Sequence, residues 1–288
     1  MSIFVPTHFV QEYKTIVELL LQQMGSRFRD KVSSDTYTGK AGKAIEQVGA
    51  VAAIKKTSRH ADTPLISTPA DARWVFPQDY EWADLIDQQD KVRMLIDPTS
   101  SYAINGAHAI GRAMDDEIIA AAFATSLTGE NGTTTTPFPA GQQAATTAGG
   151  LTTQKLREAM ELLMAAEIDT DREQLWCAIS ARQHNDLLGD TQAPNRDFNA
   201  MPILDKGRIR NWMGFNFVLS ERLPITGTDR EVICWVPSGL HLGMWEDLRT
   251  EIDRRPDKSY ATQVYVAATI GATRTQEQKV VRIICSEA

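Results

Sequence analysis

The chain has 288 residues, 42% of them apolar, which is enough to bury a sizeable core. A formal net charge of −7 argues against a protein that grips nucleic acid by neutralising phosphates over a broad face. The opening MSIFVPTHFVQEYK has neither a basic leader nor a long apolar run, and no window reaches the ~18 apolar residues of a membrane span, so a soluble protein made in the cytoplasm is expected.

Phe9, Val10, Tyr13, Ile16, Val17, Leu20, Leu21 and Met24 recur at steps of three and four, which predicts a helix with one apolar stripe ending near Gly25. The stretches Val48 to Ile54 and Ala72 to Phe76 read as short strands. Between them lies a polar, proline-bearing interval, Lys55 to Asp71, too long for an ordinary loop, and together the three pieces predict a projecting β-hairpin arm. Tyr80 to Ile96 carries Trp82, Leu85, Ile86, Val92 and Leu95 and is read as a helix stopped by Asp97-Pro98. Ser100 or Ser101 can cap the next helix, on which Ala107, Ile110, Met114, Ile118, Ala121 and Ala122 recur until Gly129. At 1.5 Å per residue this helix would be a rod of roughly 39 Å.

Asn131 to Gly150 is rich in Thr, Gly and Ala and reads as a loop, after which Thr152 or Thr153 caps a helix running to about Ala166. LWCAIS predicts a strand, ARQHNDLLG a short helix, and RNWMGFNFVLS, EVICWV, TQVYVAATIGAT and KVVRIIC further strands. Helices come first and strands dominate later, an α+β order with no internal repeat and no linker that would separate independent domains.

Chemistry is hard to find. GxGxxG, GxxxxGK[ST], GxSxG, HExxH and CxxC are all absent. Cys177, Cys234 and Cys285 sit in apolar runs without metal-knuckle spacing and read as buried reduced thiols. The histidines are scattered over separate elements. His184 with Asp186 is the best acid-base candidate, because imidazole and carboxylate can share a proton at neutral pH, and a polar pair on a helix surface is its plain reading. His60 with Asp62 falls on the expected arm, where a solvated or intersubunit role fits better. Asp115, Asp116 and Glu117 are consecutive on a helix, about 100° apart, so they cannot converge on one cation and read as a solvated or salt-bridged face. DRRPDKS, Asp253 to Ser259, mixes acids and bases and reads as a salt-bridged turn. No cofactor or metal is implied.

Two long stretches then carry a resemblance. RWVFPQDYEWADLIDQQDKVRMLIDPTSSYA (Arg73 to Ala103) and GRAMDDEIIAA (Gly111 to Ala121) resemble the tailed-bacteriophage major capsid (coat) proteins. LREAMELLMAAEID, SARQHNDLLGD, MGFNFVLSERLP and RPDKSYATQVYVAATIGATRTQEQKVVRI continue the likeness in the same order. It covers most of the chain from Arg73 to Ile283, while the first 45 residues and the Thr-rich loop match only loosely.

The resemblance implies the capsid fold shared by tailed phages and herpesviruses. The corresponding division is an N-terminal arm (1–45), an extended hairpin loop (46–78), a peripheral domain with a long spine helix (79–174), an axial domain (175–237) and return strands (238–288). It implies a structural, non-enzymatic subunit forming hexamers and pentamers of an icosahedral shell. Its expected partners are a separate scaffolding protein, a portal protein and packaged double-stranded DNA held as contents, and its expected place is the virion. Leu20 on the N-terminal stripe and Arg59, Asp62 and Arg73 on or beside the arm are the expected intersubunit contacts, since guanidinium and carboxylate pair in a fixed bidentate geometry. A nanocompartment shell of the same fold and, remotely, a hydrolase using His184 and Asp186 are the competing readings.

Overall fold

The computed structural model describes residues 22–60, 62, 63, 65–87, 99–144, 149–170, 172–190, 204, 205 and 208–287. The stripe from Phe9 through Leu21, Leu20 included, lies outside them. In chain order the first strands are β1 (Ser33–Thr36), β2 (Gly42–Val48), β3 (Ala70–Val75) and β4 (Gln78–Ile86), followed by the helix α1 (Thr99–Phe123). Then come β5 (Ser126–Thr128), β6 (Thr134–Thr136), α2 (Thr153–Ala165), β7 (Leu175–Ile179) and α3 (Ala181–Gly189). The short β8 (Leu204–Asp205), β9 (Arg208–Ile209) and β10 (Asn211–Trp212) precede β11 (Phe215–Leu219), β12 (Ile225–Thr226) and β13 (Asp229–Trp235). Three strands close the chain: β14 (Leu240–Arg255), β15 (Ala261–Arg274) and β16 (Val280–Ser286).

The expected α+β architecture is present, built around two apolar cores. In the first, α1 lies against the sheet β1-β14-β15-β4, and Ile110, Met114 and Ile118 pack with Val266, Ala268 and Ile270. Phe28 and Trp235 stack at 5.5 Å between ring centroids and close one end of it. In the second, α2 and α3 lie against the sheet containing β11, β7, β13 and β16, with Leu156, Leu163 and Leu187 on Cys177, Val232 and Ile283. Continuous apolar runs such as LWCAI are what a strand covered on both faces requires.

Caps decide the helix ends. The Thr152 hydroxyl accepts the Lys155 N–H at the start of α2. Ser180 and Gln183 form a reciprocal capping box at the start of α3, satisfying two amides that a helix start otherwise leaves open. The 25 residues of α1 make a rod of about 37 Å. It ends earlier than the apolar spacing suggests, because Ser126 to Thr128 leave the helix to pair with β3 and β6.

One expectation is corrected here, and one strand was not foreseen. Residues 78–86 form a strand, not a helix, whose exposure alternates so that Tyr80, Trp82 and Ile86 turn inward. It pairs antiparallel with β15 from Gln78↔Ile270 to Ile86↔Thr262, and Trp82 covers α1 at Gly106. Residues 240–255, which show no strand alternation in their distal half, extend a 16-residue strand into solvent.

Candidate assembly surface

The arm begins at Gly42↔Val75 and runs antiparallel to Val48↔Ala70. Beyond that pair the described residues of the arm have no regular structure, and the Gly49 N–H donated to Pro69 O is the last rung seen among them. The strand expected over Val48 to Ile54 therefore sits earlier, at Gly42 to Val48, because the apolar residues 51–54 have no partner surface. Val51, Ile54, Leu65 and Ile66 are 49%, 61%, 98% and 44% exposed. Arg59, His60 and Asp62 are exposed in the same tip. Apolar groups held in water at the end of a hairpin lose the burial that would otherwise stabilise the fold, so this surface suits covering by something else.

A second exposed surface is the distal half of β14 and the turn before β15, where Leu248, Ile252 and Tyr260 are exposed. Its turn is the salt-bridged DRRPDKS, with Arg255 2.5 Å from Asp257, and Ser259 and Tyr260 at positive φ.

Arg73 is not on the outer surface. It is 5% exposed and its Nη2 lies 2.9 Å from Glu277 Oε2 of the same chain, so it ties the arm's root to the turn before β16 and is not free for a neighbour. Arg59 and Asp62 remain accessible.

The carboxylates of α1 point three ways, as their spacing requires, but Asp115 is not solvated. Buried at 0% exposure, it accepts from the Ser26 hydroxyl and from the Arg27 and Phe28 amides at 2.5, 3.0 and 3.2 Å, pinning the segment before β1 to the middle of the helix. Asp116 pairs with Arg222. Glu117 accepts from the Tyr80 hydroxyl at 2.9 Å, and burial, reinforced by that carboxylate, pushes the phenol up to about 12.

His184 and Asp186 are not brought together. His184 Nε2 accepts the Ile209 N–H at 3.2 Å, and burial, helped by Arg208, lowers its pKa. Asp186, two residues on and so on another side of α3, faces Arg182 at 3.7 Å. The cysteines are free and buried. Cys177 and Cys234 oppose each other across β7 and β13 with sulfurs 3.3 Å apart, and burial raises Cys177 well above the usual thiol range and Cys285 to about 12. These thiols are unreactive at neutral pH. No cluster of metal-ligating side chains occurs among the described residues, and none of their helices is long and apolar enough to cross a membrane.

One surface escaped sequence reasoning. A pocket of about 670 Å³ is lined by Arg27, Lys31, Arg208 and Arg210, with Trp176, Asn216 and Phe217, and by no carboxylate. Lys31 Nζ lies 5.3 Å over the Trp176 ring and donates to Arg27 O, and Arg27 donates to Leu219 O. Among the described residues no salt bridge to a carboxylate forms at Arg27 or Lys31, and Asp205 is the register partner of Arg208 across β8 and β9.

A family model described as phage capsid protein matches residues 5–287. No curated protein matches. Among solved structures, the capsid of the cyanophage P-SCSP1u is similar at 16% identity and TM-score 0.76, over 98% of this chain and 94% of that one. The head structure of Helicobacter pylori bacteriophage KHP40 is similar at 10% identity and TM-score 0.72, over 98% and 97%. The capsid of cyanophage Pam1 is similar at 14% identity and TM-score 0.71, over 99% and 98%.

Proposed function

The chain belongs to the phage capsid protein family, and from that premise we propose that its projecting arm is the part by which each subunit grips the next. It is a structural major capsid protein, a subunit of the phage head and a component of the virion. The family match sets the phage head above a nanocompartment shell. The finer organisation follows from the same premise, with the start of the loop drawn back to Gly42: residues 1–41 are an N-terminal arm, 42–78 the extended loop, 79–174 the peripheral domain with α1 as spine, 175–237 the axial domain and 238–288 the returning strands. Copies join as hexamers and pentamers. A separate scaffolding protein directs assembly, a portal protein occupies one vertex, and the finished shell encloses double-stranded DNA. Synthesis is in the host bacterial cytoplasm, and the subunit does no chemistry.

The observation that carries the arm's role is its exposed tip. Val51, Ile54, Leu65 and Ile66 are each worth about 1 kcal/mol or more once covered, whereas an exposed ion pair from Arg59 or Asp62 gives about 0–1 kcal/mol. Apolar contacts therefore supply most of the affinity and the charges set the approach. Leu20, on the N-terminal stripe, adds a contact to a neighbour or to scaffold.

Limited proteolysis tests the arm. Cutting is expected at Lys55, Lys56 and Arg59 in free subunits and strongly reduced in particles. Equal cutting in both states would show that the tip stays uncovered in the shell and would contradict the proposal.

A further inference from the structure

We propose that the pocket formed by Arg27, Lys31, Arg208 and Arg210 is a binding site for the phosphodiester backbone of nucleic acid, placed beside Trp176. This rests on the reading that the shell encloses DNA and adds to it a specific point of contact.

Three elements far apart in sequence build the pocket. Arg27 and Lys31 come from the segment that Asp115 pins against α1. Arg208 opens β9 and Arg210 follows it, and Trp176 and Asn216 face each other across the parallel pair β7 and β11. Phe217 N–H donates to Arg210 O at 2.9 Å, which fixes the backbone beside β9 to the sheet edge.

Charge is the central observation. Several arginines of this acidic chain pair with carboxylates, among them Arg29 with Asp247, Arg222 with Asp116, Arg249 with Glu251 and Arg255 with Asp257. Arg27, Lys31 and Arg208 line one concavity that no carboxylate lines. The charge of Arg208 adds to burial in disfavouring the charged form of His184. Backbone carbonyls orient two of the cations: Lys31 Nζ donates to Arg27 O at 2.7 Å, and Arg27 donates to Leu219 O. Both keep further N–H groups for a ligand.

An anion is the chemistry that completes such a site. The double-stranded contents of the shell supply that anion as a phosphodiester backbone, whose phosphates the cations of the pocket would neutralise with release of counterions. With about three phosphates neutralised, binding should be weak and salt-dependent, with a slope near −2.7 and about 40-fold lower affinity at 200 mM than at 50 mM salt. That suits a wall which touches packaged DNA at many points and immobilises none of it.

The test uses the full chain and fluorescein-labelled 30-base-pair DNA, read by anisotropy across that salt range. Arg27→Gln, Lys31→Gln and Arg208→Gln should each lower the slope by about 1, and the triple variant should abolish binding. Lys55→Gln with Lys56→Gln, on the arm tip, should leave binding unchanged. Wild-type binding that the triple variant retains would overturn the assignment, as would an absence of binding at 50 mM salt. Polyglutamate displacing DNA at equal charge concentration would overturn the phosphodiester in favour of an acidic protein segment. Particle assembly by the same preparations is scored separately by sedimentation. Wild-type shells without DNA binding sink this inference alone, and absence of shells sinks the shell reading.

Discussion

Removing the Arg73 guanidinium would take from Glu277, only 15% exposed, its partner at 2.9 Å and leave it Arg274 at 3.9 Å. Loss of the close, hydrogen-bonded partner of a buried charge is costly even where a second cation remains, so Arg73→Ala should destabilise the isolated subunit by about 2 kcal/mol in denaturant unfolding. A loss below about 0.5 kcal/mol would place this pair among the surface bridges. His241 gives a pH prediction. It is 2% exposed, its ring nitrogens meet the Ser33 and Tyr37 hydroxyls at 3.0 and 2.8 Å, and burial lowers its pKa against a smaller opposing pull from Asp35. The unfolded chain therefore takes up a proton at a higher pH than the folded one. Stability should be fully present above the unfolded value of about 6.5 and fall as pH drops below it. His241→Gln should flatten that fall in a series of denaturant midpoints, and an unchanged slope would assign it to other groups.

Two glycines in α1 mark where the long helix is approached most closely. A Cβ at Gly111 would lie 2.6 to 2.8 Å from the backbone of Gly25 and Ser26, the segment held by Asp115. In an exposed helix, Gly→Ala is worth up to about 1 kcal/mol in favour of the fold. Here the sign should reverse, because backbone cannot rotate aside, and Gly111→Ala should cost about 2 kcal/mol. Gly106 faces Trp82 and Val266 in the same way. A stabilised Gly111→Ala variant would mean that the 25–28 segment packs loosely. Elements with local punctuation were legible in the sequence: Thr152 and Ser180 cap their helices, and LWCAI and KVVRIIC are too apolar to be anything but buried. QDYEWADLI was misread because Trp82, Leu85 and Ile86 fit helical spacing while Tyr80, Trp82 and Ile86 fit alternation, and pairing with β15 chooses between them. The distal part of β14 left no apolar alternation, because it projects into water and its Leu248 and Ile252 stand alone among charged residues.

At the scale of the molecule, the arm was legible because a polar, proline-bearing interval between two apolar runs has few other uses. The basic pocket was not, since Arg27 and Arg208 meet only once β7 and β11 pair. The arm's tip and root are different surfaces, so any contact joining a tip to a neighbour's body is heterologous, and repeated it closes rings when the rotation allows. Replacing residues 51–67 by a short turn should leave the subunit folded, with unchanged far-ultraviolet circular dichroism, and prevent ring closure in sedimentation velocity. Particles formed by the shortened chain would remove the arm from the assembly contact.

The most direct test of the central claim, that this chain is a shell subunit, is electron microscopy of the purified full-length protein after expression with and without its neighbouring phage genes. Closed shells of uniform diameter, or rings of five and six subunits, are the result expected. A monomer that persists through every salt and co-expression condition would contradict the account.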